Sequence, residues 1–327
     1  MYLDDKTILV AGANGLAGSS IVRALLGASP TVRLRATCRS DIGAFSRDPR
    51  VTYIRADLRS SAECATAVKG CDAAVLAAAR SGGAQQAANA PWLQVTDNLV
   101  MDTLLLQALH DAGIRRAVYV SSGTIYPELS DPMREDQLDW NSEPPKAYQG
   151  VGWAKRSAEK LCTFWHRQTG MEILIARSSN IYGPYSKFDP ATANFIPALI
   201  RKAGDALDPF EVWGGPDVVR DVIYADDFGS AIVALLNATH IAHDIFNVGS
   251  GQGVTVGEVV DLILKSSNHV PGQVVWQRQG PTTTSAARVL DCSKIRDMTA
   301  WRASCGLEDG IRQTVQWWRA NKATWPR

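Results

Sequence analysis

Apolar positions along the chain alternate between two rhythms. Short, β-branched apolar runs at Thr7–Val10, Thr31–Cys38, Val51–Leu58, Asp72–Ala79, Arg116–Ser122, Glu172–Ala176, Phe210–Trp213 and Ile245–Val248 read as strands. Between them, apolar residues recur at helical spacing: Ser19–Leu26, Ala62–Val68, Pro91–Ala112, Gly152–Gln168, Ala193–Ala203, Tyr224–Leu236 and Leu307–Ala320. Thr255-x-x-Glu258 ahead of Val259 and Val260 forms a capping box that opens one more helix. Strand–helix alternation predicts an α/β fold, a Rossmann-like parallel sheet with helices on both faces and right-handed crossovers. Asp72–Ala79 is almost continuously apolar, as a strand covered on both sides should be. The pattern divides the chain into a larger sheet domain, 1–178 with 222–250 returning to it, and a smaller domain, 179–221 with 251–327. Two stretches interrupt the rhythm, a Gly/Ala/Gln/Asn loop at Ser81–Ala90 and a Pro-rich, acidic segment at Glu128–Gln149 that suits a surface loop over a site.

The first strand runs into Gly12-x-x-Gly15-x-x-Gly18, and a helix starts at once. Strand, tight glycine loop and helix N-terminus are what a dinucleotide pyrophosphate needs, with Gly12, Asn14, Gly15, Leu16 and Ala17 around it. The next strand ends in Thr37-Cys38-Arg39, with no carboxylate before Asp41. An acidic residue there would accept ribose hydroxyls, whereas a basic one accommodates a 2′-phosphate, so Arg39 argues for NADP, with NAD as the alternative. Ligands of parallel sheets sit beyond the strands' carboxyl ends. Gly12, Arg39, Asp57, Ala77, Ala78, Ala79 and Ser121–Thr124 are therefore expected around one crevice.

Composition narrows the class. With 327 residues, 46% hydrophobic and 20% charged, the chain is an ordinary globular one, and a net charge of +1 leaves no footprint for nucleic acid or an anionic membrane. Six scattered cysteines without a C-x-x-C pair fit a reduced, cytoplasmic setting. His240 and His243 are expected at a surface helix end, and no metal site is expected. The start lacks a signal-peptide pattern, and no apolar run reaches a membrane span.

The glycine turn, Val118-Tyr119-Val120-Ser121-Ser122-Gly123-Thr124-Ile125-Tyr126-Pro127, Lys155 and Asn180-Ile181-Tyr182-Gly183-Pro184 occur in one order. As a set they resemble the extended short-chain dehydrogenase/reductase family, which comprises nucleotide-sugar epimerases, dehydratases and reductases. Segments Ser122–Glu128, Asn194–Lys202 and Val212–Gly215 leading to Arg220 are most similar to the GDP-fucose synthases, then to the GDP-mannose 3,5-epimerases. The resemblance implies an enzyme in which Ser122 and Lys155 serve catalysis, Lys155 also holding the nicotinamide ribose, and Leu58 and Ser178 join the cofactor contacts. It implies sugar or phosphate contacts from Asn180, Tyr185, Asn194, Lys202, Trp213, Arg220 and Arg288. The substrate would be a nucleoside-diphosphate sugar, and two copies would pair as a homodimer through helices 91–112 and 152–168.

One position departs from the family. Its acid/base tyrosine stands four residues before the lysine, and here that residue is Val151. Tyr148 precedes Lys155 by seven residues, about 10.5 Å along a continuous helix rather than about 6 Å. Gly150 and Gly152 disfavour a regular helix there, which lets Tyr148 fold towards the crevice; otherwise Ser122, Thr124 or a water takes its role, or the role is lost. Thr124 and Tyr185 replace the cysteine and histidine that serve 3,5-epimerisation, and threonine is too weak an acid for that shuttle. A ketoreductase or single-centre reaction suits these residues better than 3,5-epimerisation, and the resemblance implies reduction of a GDP-linked 4-keto-6-deoxy sugar by an NADP-dependent oxidoreductase/epimerase. A non-catalytic dinucleotide sensor of the same fold, or an epimerase or dehydratase that retains NAD, are the alternatives.

Overall fold

The computed structural model describes residues 1–39, 46–82, 90, 92–128, 132–278 and 287–325. In chain order the strands are β1 (Thr7–Ala11), β2 (Arg33–Cys38), β3 (Val51–Arg55), β4 (Ala73–Leu76), β5 (Arg116–Ser122), β6 (Glu172–Ser178), β7 (Asn180–Tyr182), β8 (Phe210–Trp213), β9 (Val219–Tyr224), β10 (His243–Val248), β11 (Gly253–Thr255), β12 (Val274–Gln277) and β13 (Ala287–Arg288). The helices are α1 (Leu16–Ala28), α2 (Ser61–Val68), α3 (Trp92–Asp111), α4 (Gln149–Thr169), α5 (Phe195–Gly204), α6 (Ala225–Asn237), α7 (Val256–Ser267), α8 (Ser293–Thr299) and α9 (Leu307–Asn321).

Seven parallel strands form the main sheet in the order β10-β6-β5-β4-β1-β2-β3. Alternate residues of each strand enter opposite core layers, the pleat's period of two made visible. Ile8, Val10, Val118, Val120 and Leu174 face α1 and α6. Leu9, Ala11, Ala117, Tyr119 and Ile175 face α2, α3 and α4. Strand order reverses between β1 and β4, which puts the switch point where parallel sheets bind their ligands beyond the carboxyl ends of these strands. A separate apolar cluster unites α5, α7 and α9 with β8 and β9. There β9 carries β7 and β13 in parallel and β11 antiparallel, bringing residues 180–182, 219–224 and 287–288 together beside the sheet's edge.

The capping box at Thr255 and Glu258 forms as expected. Several boundaries differ. The apolar run Asp72–Ala79 is strand only to Leu76, because Ala77 and Ala78 turn aside to close on the glycine loop. The β3 run likewise stops at Arg55, short of Leu58. Pro91 and most of the Ser81–Ala90 loop, like Asp41, lie outside the described residues. Gly150 and Gly152 do not break the helix: α4 starts at Gln149 and contains both. Close packing explains Gly152, since a Cβ there would stand 2.6 Å from Pro144 and 3.2 Å from the Thr124 carbonyl. His243 starts strand β10 instead of ending a surface helix, and its ring stacks on His166. Among the described residues no helix is long and apolar enough to cross a membrane, and no cluster of metal-binding side chains occurs.

Candidate active site

The loop after β1 packs tightly on itself and leads straight into the N-terminus of α1. Gly12 has φ +79°, and a Cβ on it would come within 2.6 Å of the Ala78 backbone. At Gly18 a Cβ would meet the Gly12 carbonyl at 2.1 Å. Both glycines are demanded by the protein's own packing. Gly15 is not: its φ is −79°, and a Cβ would meet only the Gly12 carbonyl, at an ordinary 3.4 Å. The space at the mouth of α1 is open there. Helix α1 has neither a side-chain cap nor an acidic residue in its first turn, which leaves its terminal N–H groups and positive dipole end to a ligand. Asn14, Leu16 and Ala17 sit in this turn, each half-buried. These residues fit a dinucleotide pyrophosphate.

Arg39 is exposed just past β2. Asp57 lies near it: hydrogen bonds from Arg59 hold its carboxyl down to about 2, and the charge of Arg39 adds to the effect. The Asp57 carboxylate is thus engaged by Arg59 (2.6 Å), and Leu58 is buried. Ala77 donates its N–H to the Ala11 carbonyl (3.1 Å), Ala78 is half-buried and Ala79 exposed.

A cleft opens beyond β5 and β6, lined by Ser122, Gly123, Thr124, Tyr148, Ser178, Asn180, Arg220, Asp221 and Arg288. Ser122 Oγ accepts hydrogen bonds from the Thr124 N–H (3.2 Å) and hydroxyl (3.0 Å). Tyr148 closes a 3₁₀ turn, Lys146–Tyr148, and is the residue from which α4 departs, with φ −120°. That geometry carries its ring to the cleft, while Val151, one turn on, is not among the lining residues. Arg220 and Arg288 are register partners on β9 and β13. Arg288 is 8% exposed, donates to the Gly123 carbonyl (2.7 Å) and has a buried Nη1 without a hydrogen-bond partner. Burial pulls both guanidinium pKa values down, and the Tyr148 phenol oxygen pulls them back. Two desolvated cations beside a phenol and two hydroxyls can hold an anionic ligand and exchange a proton with its oxygen.

Asp221, 1% exposed, supports this wall. Its carboxylate accepts from the Ser250 N–H (2.9 Å) and hydroxyl (2.8 Å), and from the Leu290 N–H (3.3 Å), tying the 250 turn to the segment after β13. Its own carbonyl accepts from Asn180 Nδ2 (2.9 Å). Ser178 donates to the Ser121 carbonyl (3.2 Å).

Lys155 lies behind the cleft. Its ammonium donates to the Tyr119 hydroxyl (2.9 Å) and the Val120 carbonyl (2.8 Å), and the same phenol donates to Asp102 (2.7 Å). Neither Asp102 nor Tyr119 was reached by reading motifs. The available signal was a carboxylate at Asp102 in register with Asn98, Leu105, Leu106 and Leu109, the buried face of α3.

Four expected substrate contacts lie elsewhere. Tyr185 packs among Trp317 and Trp325, with the Arg23 guanidinium 4.9 Å from its ring centre, and does not line the cleft. Lys202 donates to the Glu211 carbonyl (2.8 Å). Trp213 is 55% exposed on β8, and Asn194 is the exposed residue preceding α5. Secondary elements that reach outward from the sheet set these positions, which motif order alone does not reveal.

Comparison with known proteins gives the family and the fold. The family model described as "NAD dependent epimerase/dehydratase family" matches residues 8–249. Probable GDP-L-fucose synthase 1 of Oryza sativa subsp. japonica is 30% identical, the alignment covering 98% of this chain and 94% of that one. GDP-L-fucose synthase of Sinorhizobium fredii is 28% identical over 99% of both chains. Among solved structures, a double mutant of the dTDP-glucose 4,6-dehydratase DesIV of Streptomyces venezuelae, with NAD bound, superposes with a TM-score of 0.84 at 26% identity, covering 97% of this chain and 98% of that one.

Proposed function

Because the chain belongs to the NAD dependent epimerase/dehydratase family, we propose that it is an NADP-dependent oxidoreductase that reduces a 4-keto-6-deoxy sugar linked to GDP. The observation that carries this reading is Tyr148: a phenol shares the cleft with Ser122, Thr124, Arg220 and Arg288, although the family's tyrosine position holds valine. Relatives named GDP-L-fucose synthase supply the choice of sugar and nucleoside. Arg39 supplies the choice of NADP.

The residues divide the work. Gly15 and the open end of α1 receive the pyrophosphate of the dinucleotide, and Arg39 its 2′-phosphate. A bound NADPH supplies the hydride. Tyr148 gives a proton to the sugar C4 oxygen, and Ser122 orients that oxygen, its own lone pairs already fixed by Thr124. Arg220 and Arg288 neutralise the sugar diphosphate through charge-assisted hydrogen bonds. The sheet with its return strand β10 forms the dinucleotide lobe, and β7–β9 with α5, α7 and α9 the sugar lobe. Two copies pair through α3 and α4, where Trp92, Trp153 and Phe164 are exposed.

A second reading is an enzyme that keeps NAD and returns its hydride, favoured by the solved dehydratase that holds NAD. Purified protein with NADPH and a panel of GDP- and UDP-linked 4-keto sugars decides between them. Stoichiometric NADPH oxidation with sugar reduction supports the first reading, and isomerisation or dehydration without net oxidation supports the second. Dinucleotide binding with no turnover of any sugar overturns both.

A further inference from the structure

We propose that Asp102 and Tyr119 are positioning residues for Lys155, holding its ammonium so that one N–H remains for the ribose beside the nicotinamide. The inference rests on the cofactor reading above and assigns work to two buried residues behind the cleft.

Three elements converge on one ammonium. Asp102 comes from α3, Tyr119 from β5 and Lys155 from α4. Tyr119 is fully buried, Asp102 2% exposed and Lys155 6% exposed. The phenol donates to Asp102 at 2.7 Å and accepts from Lys155 at 2.9 Å, so carboxylate and ammonium are joined through one hydroxyl. The second ammonium proton goes to the Val120 carbonyl, 2.8 Å away. An ammonium has three N–H donors and a fixed tetrahedral geometry, so two anchored protons fix the direction of the third. The Lys155 ammonium nitrogen also lies 4.6 Å from the centre of the Tyr119 ring, within reach of a cation–π attraction.

Packing alone does not account for these side chains. Asp102 and Tyr119 sit among Leu105, Leu106, Ala158 and Cys162, where leucine and phenylalanine would fill the same space without a buried charge. Burial pushes the Asp102 carboxyl up, and the Lys155 charge and the Tyr119 hydrogen bond oppose that rise. A carboxylate kept in an apolar layer at that cost calls for a use, and its nearest consequence is the lysine. Val120 and Tyr119 lie just before Ser122 on the same strand, so the anchored ammonium is registered to the hydroxyl that lines the cleft. A lysine held in one rotamer surrenders less conformational entropy when a ligand arrives.

The test measures binding rather than turnover. Affinities for NADPH, and for its fragment 2′,5′-ADP that lacks the nicotinamide ribose, are compared by fluorescence and calorimetry in the wild type, Asp102→Asn, Tyr119→Phe, Lys155→Met and Tyr119→Phe/Lys155→Met. Loss of a hydrogen bond to a charged group predicts NADPH binding weakened about tenfold in Asp102→Asn and Tyr119→Phe, with 2′,5′-ADP within about twofold of wild type. Adding Tyr119→Phe to Lys155→Met should weaken NADPH no further, because the phenol acts through the lysine. Unchanged NADPH affinity in both single variants overturns the inference while leaving the cofactor reading intact. Equal weakening for both ligands, or additive loss on the Lys155→Met background, marks a purely structural role and also overturns it. A wild type that binds no dinucleotide overturns the cofactor reading and this inference with it.

Discussion

The Arg288 guanidinium lies over the Tyr148 ring, its central carbon 5.6 Å from the ring centre. Arg288 is in turn the register partner of Arg220, so the phenol stands at a pair of desolvated cations, while Lys155 lies seven residues further along the chain. The lysine is occupied with Tyr119 and Val120. On the proposed reading, the turn that precedes α4 supplies the phenol that the family's tyrosine position, Val151, lacks.

Tyr148→Phe removes the one phenolic proton among the described residues that line the cleft and keeps the ring that Arg288 packs on. General acid catalysis contributes on the order of 10² to 10⁴ in rate, so kcat with the accepted keto sugar should fall at least about a hundredfold. NADPH affinity, set by the glycine loop and Lys155, should stay within about twofold. Stopped-flow reduction and a binding titration read the two numbers, and an unimpaired kcat would transfer the acid role to Ser122 or Thr124.

Arg288→Ala tests the cation directly. The side chain donates to the Gly123 carbonyl, and its buried Nη1 lacks a partner, an arrangement that an anionic ligand oxygen would complete. Loss of a charge-assisted hydrogen bond costs roughly 1.5–3 kcal/mol, so KM for the nucleotide sugar should rise about tenfold to a hundredfold. Arg220→Ala should do the same. The double variant should lose less than the sum, because the two arginines are neighbours that share one ligand.

The sheet was legible because its signals are local and repeated. β1 and β5 fall on the apolar runs that mark them, as does β8 outside the main sheet, and the Thr255–Glu258 box forms as its spacing demands. The short strands β7, β11 and β13 were not legible, since each is specified by its place on β9 and not by its own pattern. The same holds at the site. Ser122, Asn180 and Arg220 came from ordered motifs and share the cleft, whereas Tyr185 has the right neighbours in sequence and packs instead against Trp317 and Trp325. Gly150 and Gly152 looked like helix breakers; close approach of α4 to Pro144 and Thr124 makes at least Gly152 a packing requirement.

Gly15→Ala and Gly18→Ala should separate binding from folding. A Cβ at Gly18 would stand 2.1 Å from the Gly12 carbonyl, so the loop and α1 must part, and the melting temperature should fall by several degrees or more. A Cβ at Gly15 meets an ordinary contact at 3.4 Å, and its φ of −79° suits any residue. Its melting temperature should match the wild type's, while NADPH affinity drops about tenfold or more because the methyl occupies the phosphate's approach. Equal melting temperatures with equal affinities would mean that no phosphate comes near Gly15.

The stacked histidines at the far end of the sheet should set an acid limb to stability. His243 and His166 lie with ring centres 4.6 Å apart and planes 16° from parallel. His243 also pairs Nδ1 with the Ile173 carbonyl (2.6 Å) and Nε2 with the Thr163 hydroxyl (3.2 Å). Burial lowers its pKa, the charges of His166 and Arg167 lower it further, and Asp244 with the Ile173 carbonyl opposes them. With the folded value below the unfolded value of about 6.5, the unfolded chain takes up the proton first as pH falls. Stability should therefore be fully present above pH of about 6.5, decline as pH falls through the window below it, and level off beneath the folded value. Melting curves between pH 8 and 5 should show this decline in the wild type and a shallower one in His243→Gln, whose amide cannot titrate. Parallel curves would assign the acid limb to other groups, and a steeper one in the variant would reverse the sign of the argument.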